Sequence, residues 1–365
     1  IPATDGLNVK LTIDSEIQQL CESAMTEAYE IHSAKSAQML VIDPSSGAIR
    51  AVAIKPSFDL NEVPRDDLDA LAKLSRNNLF CDVYEPGSTF KILTSAANIE
   101  EHLQGNKSAF SVEHVFSSSR YRYVDGQRVK CWSNHANGKH SNLNLQGALN
   151  NSCNPIFVDI AMSLGKETMY KYIDLFGFGS VTGVDFNGES QGMILPMSAV
   201  LNVDLARIAF GQTIAVTGLQ LAAATAAAVN GGKYYVPYLL EEIYSDFGVI
   251  AEKNLPKLKN RVISEKASAI LSSMLEKVVE EGSGKQAYIE GARVAGKTGT
   301  AQKYENGRIA AGKYVASFVG YFPADDPKYL ALVVIDEPKG EYYGSTVAAP
   351  YAKQVFEGII KLKGM

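Results

Sequence analysis

Ser88 and Lys91 lie three residues apart in Tyr84-Glu85-Pro86-Gly87-Ser88-Thr89-Phe90-Lys91, a spacing that in a helix lets a lysine side chain reach a serine hydroxyl. That hydroxyl is a poor nucleophile at neutral pH and needs a base. Lysine can serve when burial and a second cation lower its pKa by several units from about 10.4. Pro86-Gly87 permits a tight turn, and the run Ile92 to Ile99 is apolar on nearly all sides, as for a helix in the middle of a domain. Ser88 then falls in the first turn, where free backbone N–H groups and the positive helix end favour an oxyanion or alkoxide. Alone, Ser-x-x-Lys is common, and it equally describes a helix start with a capping serine and a solvated lysine.

Two further segments supply partners. Asn151-Ser152-Cys153-Asn154-Pro155 reads as the end of a helix, with Pro155 stopping further winding so that a loop faces a cleft. Ser152 could relay a proton between Lys91 and a leaving group, and Asn154 could hold the lysine and accept a substrate amide. Gly296-Lys297-Thr298-Gly299-Thr300-Ala301-Gln302 begins a predicted strand. Lys297 brings the second positive charge, Thr298 and Thr300 offer hydroxyls to a substrate carboxylate, and Gly299 lets a ligand backbone lie close. The Thr300 N–H, paired with that of Ser88, would make an oxyanion hole.

The four cysteines, Cys21, Cys81, Cys131 and Cys153, are too scattered for a disulfide framework in a chain of 365 residues. Cys131 precedes a loop bearing His135 and His140. Cys153, the middle residue of its motif, should point away from the cleft toward that loop. Three outcomes follow: free buried thiols, a disulfide, or a structural zinc site. For zinc, the ligand set expected is Asp82, Cys131, His140 and Cys153, with Cys81 and His135 in reserve. The spacing matches no standard zinc motif.

The elements that must position these residues are legible in outline. Ser15-Glu16-Ile17-Gln18 reads as a capping box opening a helix whose buried stripe includes Cys21. Gln38 to Ile42 and Ala48 to Ala53 flank a turn and form a hairpin. Near the other end, Val294 to Lys303, Val315 to Phe322 and Tyr329 to Glu337 read as strands, separated by turns containing Asn306-Gly307 and Asp325-Asp326-Pro327, before a last helix near Val347 to Leu362. The middle is helical in texture: Leu145 to Cys153, Glu167 to Phe176, Val200 to Phe210, Thr217 to Asn230 and Ser264 to Glu281. A further hairpin, Tyr121 to Val124 with Gln127 to Trp132, turns at Asp125-Gly126. The layout is α+β, one domain with a sheet lobe (about 1–60 and 285–365) completed late in the chain, a helical lobe (about 61–284) between, and a cleft where they meet.

Composition narrows the partners. With 46% hydrophobic residues and a net charge of -5, the chain can build a large core and is a poor match for nucleic acid. The longest apolar stretch, Leu221 to Val229, falls far short of the roughly 20 residues a membrane span needs. Ile1 to Gly6 lacks a basic region and an apolar core and begins without Met, so any anchor is expected upstream.

In this order, Ser88-x-x-Lys91, Ser152-x-Asn154 and Lys297-Thr298-Gly299 resemble the three motifs of the penicillin-binding protein and serine β-lactamase superfamily. Leu11-Thr12-Ile13-Asp14, Cys131-Trp132, Phe210-Gly211-Gln212 and Tyr343 to Pro350 extend the resemblance, over essentially the whole chain, to the monofunctional class B transpeptidases of cell division and sporulation. That resemblance implies an antiparallel five-stranded sheet flanked by helices plus an all-helical lobe. It implies an enzyme in which Ser88 attacks the penultimate D-Ala carbonyl of a peptidoglycan stem peptide and passes the acyl group to a neighbouring amine, with β-lactams acylating the same serine and no cofactor required. It further implies an N-terminal membrane anchor and a pedestal absent from this chain, work on the extracytoplasmic face of the bacterial membrane, and a polytopic glycosyltransferase as partner. The rival readings are a serine β-lactamase, for which no Glu-x-x-Leu-Asn type loop is visible, and a non-catalytic β-lactam sensor.

Overall fold

The computed structural model describes residues 6–365 except 118, 134, 136–139 and 306–307, with 304 and 305 as backbone. The Ile1–Asp5 stretch and the Asn306-Gly307 turn lie outside the described residues.

Strands Ala295–Glu305, Arg308–Phe322, Tyr329–Asp336, Ser36–Ile42 and Ile49–Lys55 form one antiparallel sheet in that spatial order. The late strands therefore pair with the early hairpin: Val333 lies opposite Met39, and Leu332 opposite Leu40. Alternation sorts the side chains onto two faces. Ala37, Met39, Val41, Ala331, Val333 and Ile335 join a core under helices Ser15–Ile31 and Ala349–Lys363. Leu40, Ile42, Leu330, Leu332 and Val334 face the larger core, with helices Gly218–Val229 and Glu265–Glu280. Both faces are buried, which explains why Ser36–Ile42 reads as continuous rather than alternating apolar sequence.

Helix Lys91–Leu103 is buried at every position from Lys91 to Glu101. Most polar residues on it are therefore paired, the Ser95 hydroxyl being an exception. Thr94 donates to the Ala209 carbonyl at 2.9 Å, Asn98 exchanges two hydrogen bonds with the Phe110 backbone, and Glu100 accepts from the N–H and hydroxyl of Ser264. Ser264 is itself the N-cap of Glu265–Glu280. These bonds fix the helix in rotation and depth, and so fix what stands at its start.

Local details differ from the sequence reading in two informative places. Helix Ser15–Ile31 is capped by Asp14, which accepts from the Glu16 and Ile17 N–H groups, so the cap stands one residue earlier than a Ser15 box would put it. Asn154-Pro155 does not end a helix but begins one, Asn154–Leu175, with Pro155 at a first-turn position where its missing N–H is harmless. The hairpin Tyr121–Val124 with Gln127–Lys130 turns at Asp125 and Gly126, both at positive φ as a type I′ turn requires. The central segment also carries short antiparallel pairs, such as Lys233–Tyr235 with Leu258–Arg261, and Leu240–Tyr244 between Asn8–Leu11 and Ile250–Lys253.

Candidate active site

Ser88 lies in a short 3-10 turn, Gly87–Phe90, that leads directly into Lys91–Leu103. The approach is held by a second segment: Tyr84 and Val216 exchange backbone hydrogen bonds at 3.0 Å, Gly87 N–H donates to the Gly211 carbonyl at 2.9 Å, and the Glu85 carboxylate accepts from Thr213 N–H at 2.8 Å. Gly211 has φ +80°, and a Cβ there would collide with the backbone of Gly87. The Phe210-Gly211-Gln212 segment thus needs its glycine for close approach to the turn that presents Ser88.

Lys91 is fully buried, and its Nζ donates to the Ser152 carbonyl (2.8 Å), the Ser152 hydroxyl (3.0 Å) and Asn154 Oδ1 (2.7 Å). Ser152 adopts φ +51°, an unusual conformation for a non-glycine residue, and its carbonyl also accepts from Trp132 Nε1 at 3.1 Å. One carbonyl therefore receives both the lysine and the tryptophan. Burial pulls the Lys91 pKa down to about 8, against the opposing effect of the Cys131 and Cys153 thiolates.

Lys297, also fully buried, contacts the Ser283 hydroxyl and the Thr298 carbonyl, each at 3.3 Å. Burial first, and the charge of Lys91 second, hold its pKa well below the ordinary lysine range. Strand Ala295–Glu305 is the sheet edge beside the Ser88 turn: a Cβ on Gly299 would meet the Pro86 carbonyl oxygen at 3.0 Å. The Thr300 hydroxyl accepts from Gly344 N–H at 3.0 Å, and that of Thr298 lies 3.3 Å from Ser283. Thr298 donates its hydroxyl proton to Ser283 while Thr300 keeps its own, so Thr300 is the freer of the two to donate to a ligand carboxylate.

The structure brings Ser88, Ser152, Asn154, Thr298, Gly299 and Thr300 to the lining of one cleft of about 760 Å³. Lys91 and Lys297 lie behind that lining. Sequence reasoning missed Ser283, whose hydroxyl touches both Lys297 and Thr298. A lone serine between two glycines gave no signal beyond the end of a helix. It also missed the role of Trp132 above Ser152 and the stacked Tyr314–Tyr342 pair, 4.0 Å between ring centroids, on the cleft wall.

Behind the Ser152 loop, Cys131, His135, His140 and Cys153 place their ligand atoms within 4.8 Å of one another. Cys131 Sγ is 4.0 Å from His140 Nδ1 and Cys153 Sγ 3.9 Å from His135 Nε2. The sulfurs form no disulfide. A hydrogen bond between the thiols pulls Cys131 well below the usual thiol range and pushes Cys153 above it. Asp82, expected among the ligands, is elsewhere: it is half exposed and accepts from Arg76 Nε at 2.7 Å. His135 takes its place, with its Nε2 beside Cys153 Sγ, while Asp82 follows a short helix and is half exposed. Cys81 lines a separate groove with Asp82.

Fold and cleft together define a serine–lysine class of site. The penicillin-binding protein transpeptidase domain matches residues 37–357, and the chain belongs to that family. It is 40% identical to stage V sporulation protein D of Bacillus subtilis, over 96% of this chain and 53% of that protein. It is 28% identical to the peptidoglycan D,D-transpeptidase FtsI of Escherichia coli, over 97% of this chain and 56% of that protein. The transpeptidase domain of penicillin-binding protein 3 from Burkholderia pseudomallei, at 26% identity, superposes with a TM-score of 0.82 and covers 97% of this chain and 96% of that one. The chain spans about half the length of the curated relatives it matches. Among the described residues no helix is long and apolar enough to cross a membrane.

Proposed function

We propose that this domain is a peptidoglycan D,D-transpeptidase acting in division or sporulation, with Ser88 as nucleophile and Lys91 as its base. The observation that carries this reading is the buried Lys91 ammonium, held by Ser152 and Asn154 one turn from Ser88. Neutral Lys91 takes the Ser88 proton as Oγ adds to the penultimate D-Ala carbonyl of a donor stem, and backbone N–H groups of Ser88 and Thr300 receive the oxyanion. The proton passes through Ser152 to the departing D-Ala nitrogen, the C–N bond breaks, and an ester to Ser88 remains. An amine of a second stem then adds to the ester, gives its proton back along the same path, and restores the Ser88 hydroxyl with a new peptide bond. Thr298 and Thr300 hold the terminal carboxylate, burial favours the neutral form of Lys91, and Lys297 braces the Thr298 wall through Ser283. β-Lactams acylate the same serine. The site works on the extracytoplasmic face of the membrane, beside a polytopic glycan polymerase.

The test is exchange on a stem pentapeptide with an added amine, read by mass, together with the lifetime of a fluorescent penicillin adduct. An exchange product and an adduct lasting many minutes are expected. Rapid turnover of the penicillin would make the protein a β-lactamase, and a stable adduct with no exchange would make it a sensor. The pH profile has a fixed sign. The reactive form is neutral Lys91, so acylation should rise about tenfold per pH unit below a midpoint near 8 and level off above it. A flat profile from about pH 6 to 9 would remove Lys91 as the base.

We also infer that Cys131, His135, His140 and Cys153 hold a structural zinc ion. Two sulfurs and two imidazole nitrogens are a common tetrahedral zinc set, and their ligand atoms lie within 4.8 Å of one another. The ion would tie the loop after Trp132 to the Ser152 loop and would take no part in bond making.

A further inference from the structure

Charge in the cleft runs against the charge of the chain. The protein carries a net charge of -5, yet among the described residues of the cleft lining no Asp or Glu appears, and its charged side chains are Arg128, Lys130 and Arg207. All three belong to one wall. Arg128 and Lys130 are two residues apart on Gln127–Lys130 with buried Val129 between them, so they project from the same face. Arg207 arrives from the last turn of helix Asn202–Ile208 and donates to Gln127 Oε1 at 3.3 Å, which joins the helix to the hairpin.

The pairing of neighbouring charges shows that this wall is selective. Arg122, on the other strand of the hairpin, is neutralised by a two-pronged contact with Asp159 at 2.6 and 2.7 Å. Arg128 instead lies over the Tyr121 ring at 5.6 Å, which orients the guanidinium without discharging it. Neither Arg128 nor Lys130 has a carboxylate partner among the described residues. Glu85 feels Arg207 from behind the Ser88 turn, where it is bound to Thr213, and does not reach the cleft lining.

Three cations on one exposed wall of the cleft concentrate anions there, and a guanidinium fork matches a carboxylate. The opposite wall, with Thr298 and Thr300, is already assigned to the terminal D-Ala carboxylate, so the anion met here sits on another part of the substrate. Stem peptides carry such groups upstream of D-Ala-D-Ala: the α-carboxylate of a γ-linked D-glutamyl residue and, where the third residue is a diamino diacid, its second carboxylate. The geometry points to Arg128, Lys130 and Arg207 as a subsite for a free carboxylate of the donor stem. This rests on the D,D-transpeptidase reading and names what the enzyme demands of its donor. Binding energy gathered on a non-reacting part of the substrate can be used to align the reacting carbonyl with Ser88.

The test measures binding without turnover. The Ser88→Ala protein is titrated with four synthetic pentapeptides: both upstream carboxylates free, one amidated, the other amidated, and both amidated. Amidating the recognised position should weaken binding about fivefold, as for one or two partly exposed ion pairs, and the two singly amidated peptides show which carboxylate is read. Adding Arg128→Gln, Lys130→Gln and Arg207→Gln should make all four bind alike. Equal binding of the four peptides to the Ser88→Ala protein would overturn the proposal, as would discrimination that survives in the charge-neutral variant. Should that variant not fold, salt decides: the discrimination must shrink between about 0.05 and 0.5 M, and indifference to salt would overturn it. Failure of the transpeptidase reading appears separately, as absence of a Ser88 penicillin adduct in the unaltered protein.

Discussion

Ser88→Ala is expected to carry no mass increase after exposure to penicillin, and Lys91→Met to acylate about 10³- to 10⁴-fold more slowly than the unaltered protein. The two results are linked by geometry. Removing the hydroxyl leaves no atom to form the ester. Removing the amine leaves the hydroxyl in place but without the group that takes its proton, while Ser152 and Asn154 keep their positions through Trp132 and the start of helix Asn154–Leu175. Lys91→Met also strands three acceptors that Nζ now serves. A melting temperature must therefore accompany the rate, since unpaired buried polar groups cost about 1–3 kcal/mol each. A mass shift that persists in Ser88→Ala would place the nucleophile elsewhere. A Lys91→Met protein that folds and acylates at the original rate would assign the base to another group.

Protein purified without added metal should contain about one zinc per chain, and Cys131→Ser with Cys153→Ser should contain none. Losing a ligand that binds only the folded state at about a thousand times its Kd removes about 4 kcal/mol, which for a chain of this size lowers the melting temperature by roughly 5 °C. Acylation should fall as well, because Cys153 sits between Ser152 and Asn154, the two residues that hold Lys91. Acidification should release the metal as the thiolates take up protons. Absence of stoichiometric metal in the purified protein would dismiss the zinc site and leave buried thiols. A double variant that retains the melting temperature while losing metal would dismiss its structural role.

The catalytic motifs were legible because each depends on a short repeat of the backbone. Ser88 and Lys91 share a helical face at a spacing of three, and Asp125-Gly126 turns the hairpin it predicts. Strand alternation and the order of elements were enough for an α+β fold with a late-completed sheet. Pro155 was misread because a proline both ends one helix and opens the next, and only the following residues, packed against helix Lys91–Leu103, decide between the two.

By itself the sequence determined which chemical groups are present and which share a turn or a strand face, since those relations are set by φ and ψ over a few residues. Tertiary structure alone decided that Lys91 meets residues 61 and 63 positions away, that Ser283 supports Lys297, and that Arg128, Lys130 and Arg207 share one wall. It also decided that His135 rather than Asp82 stands beside Cys131, His140 and Cys153. Such pairings carry no local signature. They follow from how two cores pack, where many weak contacts jointly fix positions that no single residue specifies.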